Sequence, residues 1–344
     1  MFEALSGNTQ IKTNIERLVR SGNFPQSAIF SGKEGIGKKM FALEIARSAV
    51  CQTPIDFAAC NRCHSCVRAT KFALPTSEKK EDYERVFLSD HPDLGIVIPN
   101  KQTIYINAIR ELEREANFRP YEAKTRYFII EEAEKMSQGA SNALLKTLEE
   151  PAETTHLILI TSKPASLLST IRSRCQTIRF APVGAAEIEK YLFDKLSYSS
   201  EDAKLIARVS NGSIGLASNT DPDGFRRKRE QMFKLIRDLA RNNRFAALLQ
   251  TSEEINSSKA RADFESYLSI LQTLINDLWK VGNDRDAACV NFDLRNQLLE
   301  LKEQVPVATL ARWLEEIESL RKNLRFNLNR KVSSDALFMR MAAQ

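Results

Sequence analysis

Hydrophobic positions follow two alternating rhythms over the first half of the chain and a single rhythm over the second. Residues 8–22 place Ile11, Ile15, Leu18 and Val19 on one helical face. Ser27-Ala28-Ile29-Phe30 is a short apolar run of the kind a buried strand shows, and a helical pattern from Met40 to Val50 follows it. Leu94 to Ile98 predicts a second strand, and Ile106 to Asn117 a helix with Ile109, Leu112 and Ala116 on one side. Tyr127-Phe128-Ile129-Ile130 predicts a third strand, Gly139 to Glu150 a helix stopped by Pro151, His156 to Thr161 a fourth strand and Gln176 to Phe180 a fifth. Strands alternating with helices imply an α/β fold with a parallel sheet. After Pro182 the strand signal disappears. Residues 185–218 read as short helices, Asn219-Thr220-Asp221-Pro222-Asp223-Gly224 has the composition of a linker, and the remainder is helical. Three parts are expected: 1–182, with an insertion at about 51–90; a small helical part, 183–222; and an all-helical part, 223–344.

Composition narrows the class. No apolar run is long enough for a membrane helix, and Glu3, Lys12, Glu16 and Arg17 interrupt the first 20 residues, so no signal peptide is expected. Fifty basic against forty-four acidic residues leave a diffuse +6, and no stripe of basic and aromatic residues is present to favour a stand-alone nucleic-acid-binding protein. The densest basic run, Arg226-Arg227-Lys228-Arg229, reads as a solvated helix start, and the polar stretch 75–85 as a loop.

Four of the six cysteines fall in the pattern C-x8-C-x2-C-x2-C: Cys51, Cys60, Cys63 and Cys66. Four thiolates complete a tetrahedral zinc shell and leave no position for water, so a structural Zn2+ is expected there. His64, inside one spacer, is an alternative ligand. Cys289 reads as an isolated core residue.

Gly32-Lys33-Glu34-Gly35-Ile36-Gly37-Lys38 fits G-x-x-x-x-G-K between a predicted strand and helix, the context of a phosphate-binding loop. Its glycines let backbone N–H groups converge on phosphate, and Lys38 would reach the β and γ groups. The next position usually carries a hydroxyl that binds Mg2+; here it is Lys39, whose ammonium repels a cation. The third strand runs into Glu131-Glu132, an acid pair of Walker B type, where aspartate is usual at the first position. Both departures point to an ATPase fold whose own hydrolytic chemistry has decayed, with ATP binding left open.

These features, with His91-Pro92-Asp93, Ile109-Arg110-Glu111-Leu112, Asn142 to Pro151 and Thr170-Ile171-Arg172-Ser173-Arg174-Cys175, resemble the AAA+ subunits of bacterial DNA polymerase III clamp loaders, the delta-prime type above all. The resemblance is dense over 1–182 and weaker through Gly212–Ala217; Asn327-Leu328-Asn329 with Asp335 and Leu337 are similar to the family's terminal collar helix. It implies an AAA+ domain with a zinc-binding insertion, a helical lid and a helical collar for oligomerisation. It makes Arg174 an arginine finger acting in trans on the ATP of a neighbouring gamma subunit, Ser162 the sensor 1 residue, and Cys175 a small buried anchor. Gly212–Ala217 lacks the arginine that active subunits often carry as sensor 2, and the polar start of the next-to-last motif, Ser137 to Asn142, is placed where a DNA backbone could approach. The implied role is a subunit without ATPase activity of its own, cytoplasmic and at the nucleoid-associated replisome. Its partners would be the gamma/tau and delta subunits, the sliding clamp and primer–template DNA, with no membrane. A gamma/tau-type ATPase is the alternative; that group has Lys-Thr at the loop's end and, in tau, further C-terminal domains, whereas this sequence has Lys39 and stops at 344.

Overall fold

The computed structural model describes residues 1–2, 5–241, 245–256, 264–284, 287–323 and 329–343. Contacts divide the chain into two units, Met1–Ser197 with Ser210–Ser218, and Tyr198–Val209 with Asn219–Gln344.

The first unit is built on a six-stranded sheet. Its strands are β1 (Ser27–Ser31), β2 (Phe87–Leu88), β3 (Leu94–Val97), β4 (Arg126–Ile130), β5 (Thr155–Thr161) and β6 (Gln176–Arg179), in the order β2-β3-β4-β5-β1-β6. All neighbours are parallel except β2, which runs antiparallel to β3. Side chains alternate between two cores, as the period of two requires. Phe30, Ile129 and Ile158 face one with the helices α1 (Thr9–Arg20) and α2 (Lys38–Val50); Ile29, Phe128, Ile130, Leu157 and Leu159 face the other with α4 (Ile106–Ala116) and α5 (Gln138–Glu149). A short α3 (His64–Arg68), α6 (Ser169–Arg174), α7 (Ala185–Leu196) and α9 (Ile214–Ser218) complete this unit. Because β1, β4 and β5 are parallel, the segments that leave their C-terminal ends lie side by side, the arrangement that gathers ligand sites in open α/β sheets. Within the 75–85 stretch read as a loop, Lys80–Tyr83 forms a 3-10 turn.

The second unit is helical: α8 (Ser200–Val209), α10 (Pro222–Ala240), α11 (Phe245–Ile255), α12 (Phe264–Asn283), α13 (Arg295–Lys302), α14 (Val307–Asn323) and α15 (Arg330–Ala342). Its core holds Ile236, Leu271, Leu274, Trp313, Ile317, Leu337 and Cys289. The Trp313 indole N–H donates to the Met341 carbonyl at 2.9 Å.

Two sequence readings are corrected here. The linker-like Asn219–Gly224 is in its second half the start of α10, with Pro222 in the first turn and the Asp221 carboxylate accepting from the N–H groups of Asp223 and Gly224. Aspartate before proline is a helix start as much as a loop. The basic run at 226–229 is not uniformly solvated: Arg229 is 6% exposed and forms a two-bond ion pair with Asp293, at 2.8 and 2.5 Å, while Arg226 pairs with Asp202. Asn327 and Leu328 lie outside the described residues; Asn329 caps α15, its side-chain oxygen accepting from Lys331 N at 3.1 Å.

A nucleotide-type loop, a four-cysteine cluster and an arginine

The loop after β1 turns through three glycines with positive φ, Gly32, Gly35 and Gly37. At Gly35, with φ at +72°, a Cβ would be strained and would lie 2.2 Å from Ser213 Oγ, displacing that hydroxyl. The Gly35 carbonyl accepts from Gly215 N at 2.8 Å, and Lys33 Nζ donates to the Asn211 carbonyl at 2.9 Å, so the segment 211–215 is seated on the loop. Lys38, 6% exposed, turns its ammonium back onto the loop, donating to Gly32 O at 2.6 Å and Lys33 O at 2.7 Å. Burial lowers its pKa, opposed by the charges of Glu134 and Glu34.

Lys39 and Glu131 form an ion pair at 2.6 Å. The structure thus joins the two residues that depart from an ATPase pattern: the cation that replaces the hydroxyl meets the lengthened acid. Glu132, left-handed at φ 47, is separated from them and pairs with Lys135 at 2.6 Å. Ser162, just beyond β5, donates its hydroxyl to Glu134 Oε1 at 2.6 Å, and its N–H reaches the same oxygen at 3.2 Å. Burial would raise the Glu134 pKa, but these bonds hold it below the usual carboxylate value. Glu134 is the residue that sequence reading missed. It lies in a 3-10 turn, Ala133–Lys135, three positions after Glu131, and the acid pair 131–132 drew attention from it.

The four cysteines converge, with all Sγ atoms within 4.8 Å of one another; His64 is not part of the group. Cys51 and Cys63 sulfurs are 3.9 Å apart, Cys60 and Cys66 4.0 Å. Metal–sulfur bonds of about 2.3 Å place tetrahedral sulfurs about 3.8 Å apart, so the donor set fits a four-coordinate ion. Backbone N–H groups of Cys60, Cys63 and Cys66 donate to the sulfurs of Cys51, Cys60 and Cys63 at 3.3–3.4 Å, which favours thiolates. The Cys60 thiol is lowered to about 5, first by the Thr53 hydroxyl and then by backbone N–H groups.

An ionic network, partly exposed at Arg68–Glu122 and buried at Asp93–Arg126, fastens this module to the sheet. Arg68, two residues beyond Cys66, makes two bonds to Glu122 at 2.7 and 2.9 Å and reaches the Asp90 carbonyl. Asp93, fully buried, accepts from the N–H groups of Tyr121, Glu122 and Ala123 at 2.8 Å each. Its partner is Arg126, equally buried at the head of β4, with Nε 3.4 Å from Asp93 and Nη2 2.9 Å from Glu115.

Arg174 is the last residue of α6. Its partners are the Thr170 carbonyl, at 3.0 Å, and Glu149 Oε1, at 2.7 Å, and none of the loop residues. Cys175 behind it is buried, and burial pushes its thiol up to about 12.

The family described as "DNA polymerase III, delta subunit" matches residues 7–184, and that described as "DNA polymerase III, delta subunit, C terminal" matches 224–333. DNA polymerase III subunit delta' of Bacillus subtilis (strain 168) is 27% identical over 303 residues, covering 88% of this chain and 86% of its own length. The delta' subunit of Escherichia coli (strain K12) is 25% identical over 338 residues, 96% of this chain and 94% of its own. DNA polymerase III subunit tau of Bacillus subtilis is 30% identical over 219 residues, 62% of this chain and 36% of its own. With matches to both units and full-length delta' relatives, the chain belongs to the DNA polymerase III delta-subunit family.

Proposed function

We propose that this chain is a delta-prime-type subunit of a DNA polymerase III clamp loader that hydrolyses no ATP itself and supplies Arg174 to a neighbouring subunit. The Lys39–Glu131 ion pair carries this reading. Mg2+ at such a loop needs a hydroxyl and a free acid; here a cation stands at one position and neutralises the other. Lys38, bonded to Gly32 O and Lys33 O, would have to exchange both carbonyls for phosphate oxygens. ATP can enter such a site, but the residues that would position a metal are committed to each other. Tau-type relatives keep a gamma/tau-type ATPase as the second reading.

Arg174, at the end of α6 and about one third exposed, would reach the γ-phosphate held by a gamma/tau subunit, where a permanently charged planar guanidinium offsets developing charge. The delta subunit, the sliding clamp and primer–template DNA are the other partners of the reading, in a cytoplasmic, nucleoid-associated replisome. No described helix is long and apolar enough to cross a membrane. The three parts 1–182, 183–222 and 223–344 would act as AAA+ domain, lid and collar. Cys51, Cys60, Cys63 and Cys66 would hold Zn2+, which supplies cross-links, not chemistry.

ATP turnover tests the proposal, measured for the purified chain and for a loader reconstituted with it. Negligible turnover is expected from the chain alone, and a loss of about 10³-fold from the loader carrying Arg174→Ala. Robust turnover by the chain alone, abolished by Lys38→Ala, would establish the gamma/tau-type reading instead.

A further inference from the structure

Resting on the reading of Arg174 as a finger, we infer that Glu149 is the positioning residue that aims it. Arg174 ends a six-residue helix, and an arginine at a helix end samples many rotamers. Two acceptors from different elements select one of them. Nη1 donates to the Thr170 carbonyl of α6 at 3.0 Å, and Nη2 donates to Glu149 Oε1, on the last residue of α5, at 2.7 Å. Both supports are anchored. Ile171 and Cys175 bury the α6 side, and Leu144 and Leu148, the latter adjoining Glu149, bury the α5 side.

A guanidinium has five N–H donors, so these two bonds leave three for an anion presented from outside. The pair is reachable, Arg174 being 35% and Glu149 50% exposed. At that exposure the ion pair adds little to stability, and its consequence is orientation. The relation is that of a catalytic group and its orienter: Glu149 touches no reacting atom and acts only through Arg174. Sequence gives no hint of which acid in Glu149-Glu150 has this part; the geometry selects Glu149.

The test uses the whole loader reconstituted with this chain, primed DNA and clamp, and reads turnover against ATP concentration. Glu149→Ala is expected to lower kcat about tenfold while KM for ATP changes less than about twofold. Glu149→Gln keeps an acceptor at the same reach and restores most of the rate. Glu149→Asp keeps the charge but withdraws it by one methylene, and slows turnover. The double variant Glu149→Ala/Arg174→Ala should be no slower than Arg174→Ala alone, because one residue works through the other. If Glu149→Ala turns over at the wild-type rate while Arg174→Ala is slow, or if the two losses multiply, the positioning role is overturned and the finger stands. If Arg174→Ala itself has no effect, the finger reading fails and this inference with it. Should Glu149→Ala not assemble, the contrast of Gln with Asp decides: equal rates overturn the proposal.

Discussion

The nucleotide-type loop and the cysteine module are joined by one helix, α2, which begins at Lys38 and ends beside Cys51, yet they treat their polar groups in opposite ways. Around the loop, opposite charges and complementary donors have found each other: Lys38 with two carbonyls, Lys39 with Glu131, Ser162 with Glu134. In the module, four donors of one kind crowd together and draw backbone N–H groups toward their sulfurs. A charge paired inside the protein has already met the need that a ligand would serve. A cluster of four like sulfurs has the donor set and spacing that could hold a metal ion. The same fold thus retains the shape of one ligand site and the chemistry of another.

The largest effect that could break this contrast is at the module. Replacing Cys60 and Cys63 together by serine should abolish metal binding and cost several kcal/mol locally, roughly the scale by which a structural metal folds its own ligand loop. Elemental analysis should fall from about one zinc per chain to none, with new proteolysis between residues 51 and 68. Retention of zinc by the variant, or a wild-type protein free of metal, would mean that the thiols are merely packed.

The next effect lies beneath the module. Asp93→Ala leaves the buried Arg126 with Glu115 alone as its carboxylate partner and strands three N–H groups. A loss of about 3–5 kcal/mol is expected in urea unfolding, as for a broken buried pair. A loss under 1 kcal/mol would show that Glu115 alone satisfies the arginine.

How much of this was legible in the sequence follows from which signals are local. The strands β1, β3, β4 and β5 were readable because both their faces are buried and they read as continuous apolar runs, and the helices between them because their apolar positions recur on one face. β2 was not: two residues have no period, and its place is set by pairing with β3. The loop, the cysteines and both departures from an ATPase pattern were readable because their spacing is itself the chemistry. Arg126 was passed over because a charge at a strand's edge resembles a loop residue until Asp93, far away in sequence, is brought against it. Glu134 and Glu149 escaped for the same reason: an acid among acids acquires meaning only from the Ser162 or Arg174 that the fold delivers.

Acid should separate the two regions further. Glu134 is held below the usual carboxylate range, so its pairing with Ser162 survives mild acid. Release of a metal from four thiolates takes up protons, so zinc should be lost as pH falls. A framework contribution accompanies this. His156, stacked on Tyr127 at 4.7 Å, has its pKa lowered by burial, as has His91. A base with a depressed folded pKa leaves the unfolded chain binding more protons, so stability is whole above about 6.5 and declines below it, by at most ~1.4 kcal/mol per pH unit for each histidine. Urea midpoints measured with saturating zinc from pH 7.5 to 5.5 should show the decline, and His156→Phe should flatten it. An unchanged slope would take His156 out of the account.

The smallest effect in stability is the most informative about the loop. Lys39→Thr removes a half-exposed ion pair and should change unfolding free energy by less than about 1 kcal/mol. It also returns to the loop the hydroxyl that holds Mg2+ in active relatives of this motif, and frees Glu131. In the unaltered protein, any rise in melting temperature caused by ATP should be the same with and without Mg2+, because the metal's position is set against it by a cation. In Lys39→Thr the rise should become Mg2+-dependent. If the variant stays indifferent to Mg2+, Lys39 is not what closes the site to metal, and the lengthened acid at Glu131 is sufficient by itself. If the unaltered protein already responds to Mg2+, the pairing of Lys39 with Glu131 yields to ligand, and the loop is no more self-satisfied than the cysteines.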